Sequence, residues 1–255
     1  MITWSPSRRG FIKSFLIALV VSTVTVPAPI SVKSINVSPD IEIVKLSDNA
    51  YLHVSWSQLP KFGRFASNGL IFVNGREAFL FDTPADDSLT KTLVTWIKDS
   101  LKVNIVGFAP NHWHADCMGG LGYVQRIGVE TYAHQMTVDI AKSKKLPVPV
   151  RGFKDSLRLS LGDKPILCWY PGPAHSLDNI VVWIPSERIL FAGCMVKSMD
   201  SKNLGNTADG DTAGYPATID MVIRKFPDAK IVIPGHDAAG GVELLRHTRE
   251  LAGKK

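Results

Sequence analysis

Apolar and polar residues alternate through 41–46 and 51–56, which predicts two half-buried strands. Two further apolar runs, 69–73 and 78–81, flank Asn74-Gly75 and predict a hairpin closed by a type I′ turn. The period then changes. Leu89, Leu93, Trp96, Ile97 and Leu101 recur at helical spacing behind Asp87 and Ser88, either of which can cap the helix. A short apolar strand is predicted at 104–109, followed by helical patterns at 119–126 and 135–144, the second stopped by Pro147-Val148-Pro149. The second half predicts strands at 157–161, 166–170, 179–184, 188–191 and 230–233, with helices at 217–226 and 242–251. Hairpin-rich runs punctuated by separate helices point to an α/β fold. Its form is a sandwich of two packed mixed sheets with helices on both outer faces.

A chain of 255 residues, 45% hydrophobic, can build one sizeable core. The first 34 residues read differently from the rest. Arg8 and Arg9 precede an apolar run from Phe11 to about Val26 that is too short and mild for a membrane span. The string Ser7-Arg8-Arg9-Gly10-Phe11-Ile12-Lys13 resembles a twin-arginine export signal. Residues 1–34 are therefore expected to be an export signal, and 35–255 the working domain in the periplasm. Four cations and no acid fall before residue 35, so the domain retains only +2 of the formal +6. No basic stripe remains to suggest nucleic acid, no stable membrane span is expected in the mature form, and a monomer is expected. Three cysteines, an odd and small number, argue against a disulfide framework.

Six residues able to bind metal follow apolar runs, where strands give way to loops. His112, His114 and Asp116 occur in NHWHADC, His175 in PGPAHSLDN, Cys194 in FAGCMVK and His236 in IPGHD. Imidazole, carboxylate and thiolate all suit zinc, and three protein ligands leave a position open for water. Six donors are enough for two such sites and a binuclear hydrolytic centre. His53, His134 and His247 lack comparable company and read as structural or surface residues.

The string H-W-H-A-D, followed in order by the His175, Cys194 and His236 motifs, resembles subclass B1 of the metallo-β-lactamases, the broad-spectrum zinc carbapenemases. The resemblance runs from ASNGL and FDTPADD to the PGH segment and implies the family's αβ/βα sandwich. Many related hydrolases carry a histidine directly after the motif aspartate and an aspartate in place of Cys194. This chain has Cys117 and Cys194 there. The runner-up readings are a lactonase or thioesterase of the same superfamily and a non-catalytic exported zinc-binding protein.

The resemblance implies a first zinc on His112, His114 and His175, and a second on Asp116, Cys194 and His236. It implies that the β-lactam amide is opened by a zinc-bound hydroxide that Asp116 orients. Lys197 matches the lysine that binds the substrate carboxylate, and Asn206 the asparagine beside the lactam carbonyl. Trp56 and Phe62 lie in a loop, 56–66, that covers the substrate in the family. Asp82 is expected to accept a hydrogen bond from a ligand histidine, and Cys117 to be a bystander.

Overall fold

The computed structural model describes residues 34–59 and 63–254. Phe62 and residues 1–33 of the expected export signal lie outside the described residues. The first sheet is built from β1 (Ser34–Ser38), β2 (Ile41–Lys45), β3 (Ala50–Leu59), β4 (Gly63–Asn74), β5 (Glu77–Phe81), β6 (Asn104–Ala109), β7 (Glu130–His134) and β8 (Arg151–Phe153), in that spatial order. Its first five strands are antiparallel, and β5 to β8 run parallel. The second sheet holds β9 (Ser156–Leu161), β10 (Lys164–Trp169), β11 (Val181–Ile184), β12 (Ile189–Gly193) and β13 (Ile231–Pro234), with only the β12–β13 pair parallel.

Alternation along the strands explains the layers. On β4, Leu70 and Phe72 face the space between the sheets, while Ile71 points outward under the helices. On β12, Ile189 and Phe191 enter the same inter-sheet core, and Leu190 and Ala192 face the opposite side. All five residues of β12 are buried, as expected for a strand covered on both faces. Leu93 of α1 (Asp87–Trp96) covers the first sheet together with Leu121 and Val124 of α3 (Leu121–Arg126) and Ala141 of α4 (Gln135–Ser143). Ile219 and Val222 of α5 (Tyr215–Lys225) and Leu244 and Leu245 of α6 (Glu243–Gly253) cover the second. The expected four-layer sandwich is therefore present. Among the described residues no helix is long and apolar enough to cross a membrane.

Local details differ from the sequence reading. Asn74 is still paired with Glu77, so the turn is Gly75-Arg76 and not Asn74-Gly75. Gly75 alone takes a positive φ, of 60°, the pattern of a type II′ turn, with glycine at its first central position. The cap of α1 is Asp86, whose carboxylate accepts the Leu89 N–H at 2.8 Å. The helix then widens into a π-helical turn over Ile97–Leu101. The helix predicted over 119–126 starts at Leu121 as α3, and a separate four-residue turn, α2 (Ala115–Met118), precedes it, because the chain is pinned at Gly119 and Gly120. A Cβ on Gly119 would strike the Ala85 carbonyl, and one on Gly120 the Thr90 hydroxyl. The strand pair expected to end near Trp56 extends as a two-stranded arm to Leu59 and Gly63, so most of the supposed loop is ladder.

Candidate metal centre

The site lies where loops leave the ends of β6, β12 and β13 and where the β10–β11 connection passes between them. Ala109 ends β6 in parallel register with Phe81 of β5, and Gly193 ends β12 in register with Pro234 of β13. Two asparagines join the sheets at this edge. Asn68 of β4 donates to the carbonyls of Pro234 and Asp237 at 2.9 and 2.8 Å, and its own N–H donates to Gly235 O at 2.8 Å. The side-chain amide of Asn111 donates to Ile180 O, and the Ile180 N–H returns to Asn111 O at 2.8 Å. These ties hold the loops of the first sheet against those of the second.

Within this frame the six donors form two adjacent clusters. His112 Nε2 lies 2.8 Å from His114 Nδ1, and His175 Nε2 is 3.4 Å from the same atom. Cys194 Sγ lies 3.3 Å from His236 Nε2 and 3.6 Å from Asp116 Oδ2, and His236 Nε2 is 3.4 Å from that carboxylate oxygen. Gly193 makes the sharp exit from β12 at φ 58°, and a Cβ there would run into the Asn111 side chain. Gly235 fills the same need from the other side, since its Cβ would strike Cys194 Sγ.

The electrostatics favour the metal-donor form of His112, His175 and Cys194 and run against it at Asp116 and His236, where a bound cation would have to displace the proton. Burial holds His112 well below its usual pKa and lowers His175 to about 4, so both rings stay neutral with lone pairs facing one point. Burial and the Cys194 charge raise Asp116 to about 7. Burial opposes charge on His236, but the neighbouring Cys194 sulfur and Asp116 outweigh it and raise the ring to about 10. Cys194 is pulled well below its usual pKa, first by a hydrogen bond from Cys117 and then, against burial, by His236. Three imidazole nitrogens crowded together cannot all satisfy one another by hydrogen bonds. A carboxylate, thiolate and imidazole gathered in low dielectric call for a shared positive charge. The three histidines are grouped closely enough to hold a metal ion, and the Asp116, Cys194 and His236 contacts beside them are of donor types that suit a divalent transition metal.

Supporting contacts came from residues the sequence reading did not single out. Asp209, on the loop that follows Lys197, accepts from His114 Nε2 at 3.0 Å. Ala66 O accepts from His236 Nδ1 at 2.7 Å. Asp178 accepts the Trp113 N–H at 3.0 Å, between the two ligand-type histidines, and the Thr137 hydroxyl at 2.7 Å. Such partners orient the donors they touch. Asp178→Asn is expected to weaken metal binding by roughly 10–100-fold while the chain stays folded, as read by competition with a chromophoric chelator. Affinity within about twofold of the parent would remove Asp178 from this role.

Two expectations need correction. Asp82 bonds no ligand histidine: its carboxylate accepts the backbone N–H of Asn111 at 2.5 Å, and so fixes the chain one residue before His112. Cys117 is no bystander. Its sulfur lies 3.2 Å from His112 Nδ1, which directs Nε2 into the first cluster, and it shares a pocket with Asp116 and Cys194. His53 and His134 are buried and structural, the latter stacked on Tyr170 with centroids 4.2 Å apart. His247 bonds Ser201 O at 2.9 Å.

Lys197 is buried, and its ammonium donates to Cys194 O at 2.8 Å, beside the second cluster. Asn206 stands on an exposed loop with its amide oxygen accepting the Ala208 N–H at 3.3 Å. Trp56 lies on the arm with the Arg64 guanidinium 4.7 Å over its ring, and Phe65 on the facing strand meets His236 edge-on at 5.9 Å.

The sequence matches the metallo-beta-lactamase superfamily over residues 112–236. It is 50% identical over 219 residues to the metallo-beta-lactamase type 2 of Bacteroides fragilis, covering 86% of this chain and 88% of that one. It is 33% identical to the enzyme of the same name from Bacillus cereus, over 85% and 84% of the two chains. Among solved structures, a metallo-beta-lactamase from Pontibacter korlensis superposes with a TM-score of 0.81 at 35% identity, over 84% of this chain and all of that one. The VMB-1 crystal structure superposes with a TM-score of 0.80 at 37% identity, over 84% and 97%. With this fold, these donors and these relatives, the chain belongs to the metallo-beta-lactamase family.

Proposed function

We infer that this protein hydrolyses the amide bond of β-lactam antibiotics, penicillins, cephalosporins and carbapenems, as a class B β-lactamase with two zinc ions per subunit. One observation carries the reading: an all-imidazole cluster beside an Asp–Cys–His cluster, each one short of the four protein donors that close a structural zinc site. His112, His114 and His175 would hold the first zinc, and Asp116, Cys194 and His236 the second. Bound zinc supplies a hydroxide near neutral pH and a Lewis acid for the carbonyl oxygen.

The chain's own residues supply the rest. Asp116 offers a carboxylate oxygen that orients the attacking water and holds its proton. Lys197 supplies the positive charge that suits the carboxylate beside the β-lactam nitrogen. With the Asn206 amide oxygen occupied by Ala208, its NH₂ is the end available to support the developing oxyanion. Trp56, on the β3–β4 arm, and Phe62 offer apolar contact to the variable side chains of the antibiotics. The basic, then apolar leader supports export to the periplasm by the twin-arginine route, where a monomer would meet its substrate.

Ring opening of imipenem and of a penicillin, followed by absorbance, tests the activity. Turnover is expected from the zinc-loaded protein, with loss on chelation and return on adding zinc. A protein that cleaved thioesters or lactones readily but left both antibiotics intact would instead be another hydrolase of the superfamily.

A further inference from the structure

Cys117 and Cys194 are 77 residues apart in sequence but share one pocket. Their sulfur atoms lie within 4.8 Å of each other, in a group completed by His112 and Asp116. Both belong to well-fixed backbone. Cys117 sits in the short turn α2, its carbonyl accepting the Thr83 N–H at 2.9 Å. Cys194 follows the sharp exit at Gly193, with its sulfur packed so closely on Gly235 that a Cβ there would strike it. The third cysteine, Cys168, is on β10 inside the inter-sheet core, among apolar neighbours.

We propose that Cys117 and Cys194 form a disulfide when the second metal position is empty, so that loss of metal under oxidising conditions locks the site in a reversible, metal-free state. The metal dependence rests on the reading of Cys194 as a ligand, because a thiolate that shares its charge with a bound cation is a weaker nucleophile towards an oxidant and is held at the metal, not at Cys117. The oxidant is a peroxide. Cys194 thiolate attacks one oxygen of hydrogen peroxide, giving a sulfenic acid and hydroxide. The Cys117 thiol then attacks the sulfenic sulfur, forming the S–S bond and releasing water. In total two thiols and one peroxide give one disulfide and two waters.

Closing this bond removes two groups from the centre together: the thiolate donor of the second cluster and the thiol that orients His112. It also shields Cys194 from the irreversible sulfinic acid that a solitary sulfenic acid reaches with a second peroxide. A dithiol reductant reverses the closure by exchange, returning both thiols and leaving as its own cyclic disulfide.

The test is peptide mapping by mass spectrometry of the full-length protein, metal-free and zinc-loaded, after exposure to hydrogen peroxide. The metal-free protein is expected to become lighter by about 2 Da, to yield a Cys117–Cys194 linked peptide, and to fall from three titratable thiols to one under denaturing conditions. The zinc-loaded protein is expected to keep all three. Cys117→Ser, treated metal-free, is expected to gain about 32 Da at Cys194 as the sulfinic acid. Wild-type metal-free protein that accumulates Cys194 sulfinic acid with Cys117 still free overturns the disulfide, whether or not the serine variant folds. Equal linkage with and without zinc overturns the metal gating. Antibiotic turnover enters none of these readouts, so a failure here is separable from a failure of the assigned activity.

Discussion

Exchanging Asp116 for asparagine will lower kcat/KM for imipenem by roughly 10²–10⁴-fold, the range for losing a positioned proton-handling group. The substitution keeps the shape of the side chain and removes its charge. That charge is held where burial and the neighbouring Cys194 raise the carboxyl pKa to about 7. A carboxylate 3.6 Å from a thiolate needs positive charge beside it, which the His236 ring 3.4 Å away supplies when protonated and a bound cation supplies when it is not. An amide there leaves Cys194 and His236 as the only strong donors of their cluster, and offers no base for the attacking water. Initial rates at saturating zinc, with metal content measured on the same sample, decide the matter. A rate within about threefold of the parent at full zinc occupancy would remove Asp116 from the mechanism.

Phe191→Ala should produce the largest loss of stability, about 3–5 kcal/mol, because truncating a buried aromatic leaves a cavity as well as forfeiting its transfer energy. Phe191 is fully buried on β12, in the inter-sheet core with Phe72, Phe81 and Ile233. It stands in parallel register with Ile233 of β13. A domain of this size loses roughly 2–4 °C of Tm per kcal/mol, so thermal unfolding should fall by roughly 6–20 °C. Because Phe191 lies two residues before Gly193, the same variant should also bind metal less tightly: the exit that aims Cys194 loses its support. A drop of less than about 3 °C would mean that the two sheets close over the vacated space.

Both effects depend on matters of which the sequence reveals different amounts. Strand and helix positions were largely legible, because alternation on β4 and β12 and helical spacing on α1 are local consequences of which face is buried. β1, β7 and β8 were not found. Residues 34–38, SINVS, alternate over only five largely exposed positions at the edge of the expected export signal, and Arg151–Phe153 is only three residues long. β7 carries the mixed sequence ETYAH, in which the buried Thr131 and His134 look polar until the helices covering them are in place. The turn at Gly75-Arg76 was misplaced by one residue because Asn-Gly fits two registers, and pairing of Asn74 with Glu77 chooses between them.

The chemistry divides along the same line. Residue type and position after a strand end pick out His112, His114, Asp116, His175, Cys194 and His236, since donor atoms and strand ends are local properties. The amino-acid sequence by itself determined the layered α/β architecture and a set of donors suited to metal. Only the tertiary structure decided which donor meets which. His175 and His114 are 61 residues apart, Cys194 and Asp116 are 78, and the Asn68 clasp on Pro234 spans 166. Contacts at such separations follow from how two sheets close on a shared core, and no local pattern encodes them. The same holds for Asp209 against His114, for Asp178 under Trp113, and for Cys117. Beside an aspartate in the sequence it looked idle; in the folded chain it touches His112 and faces Cys194.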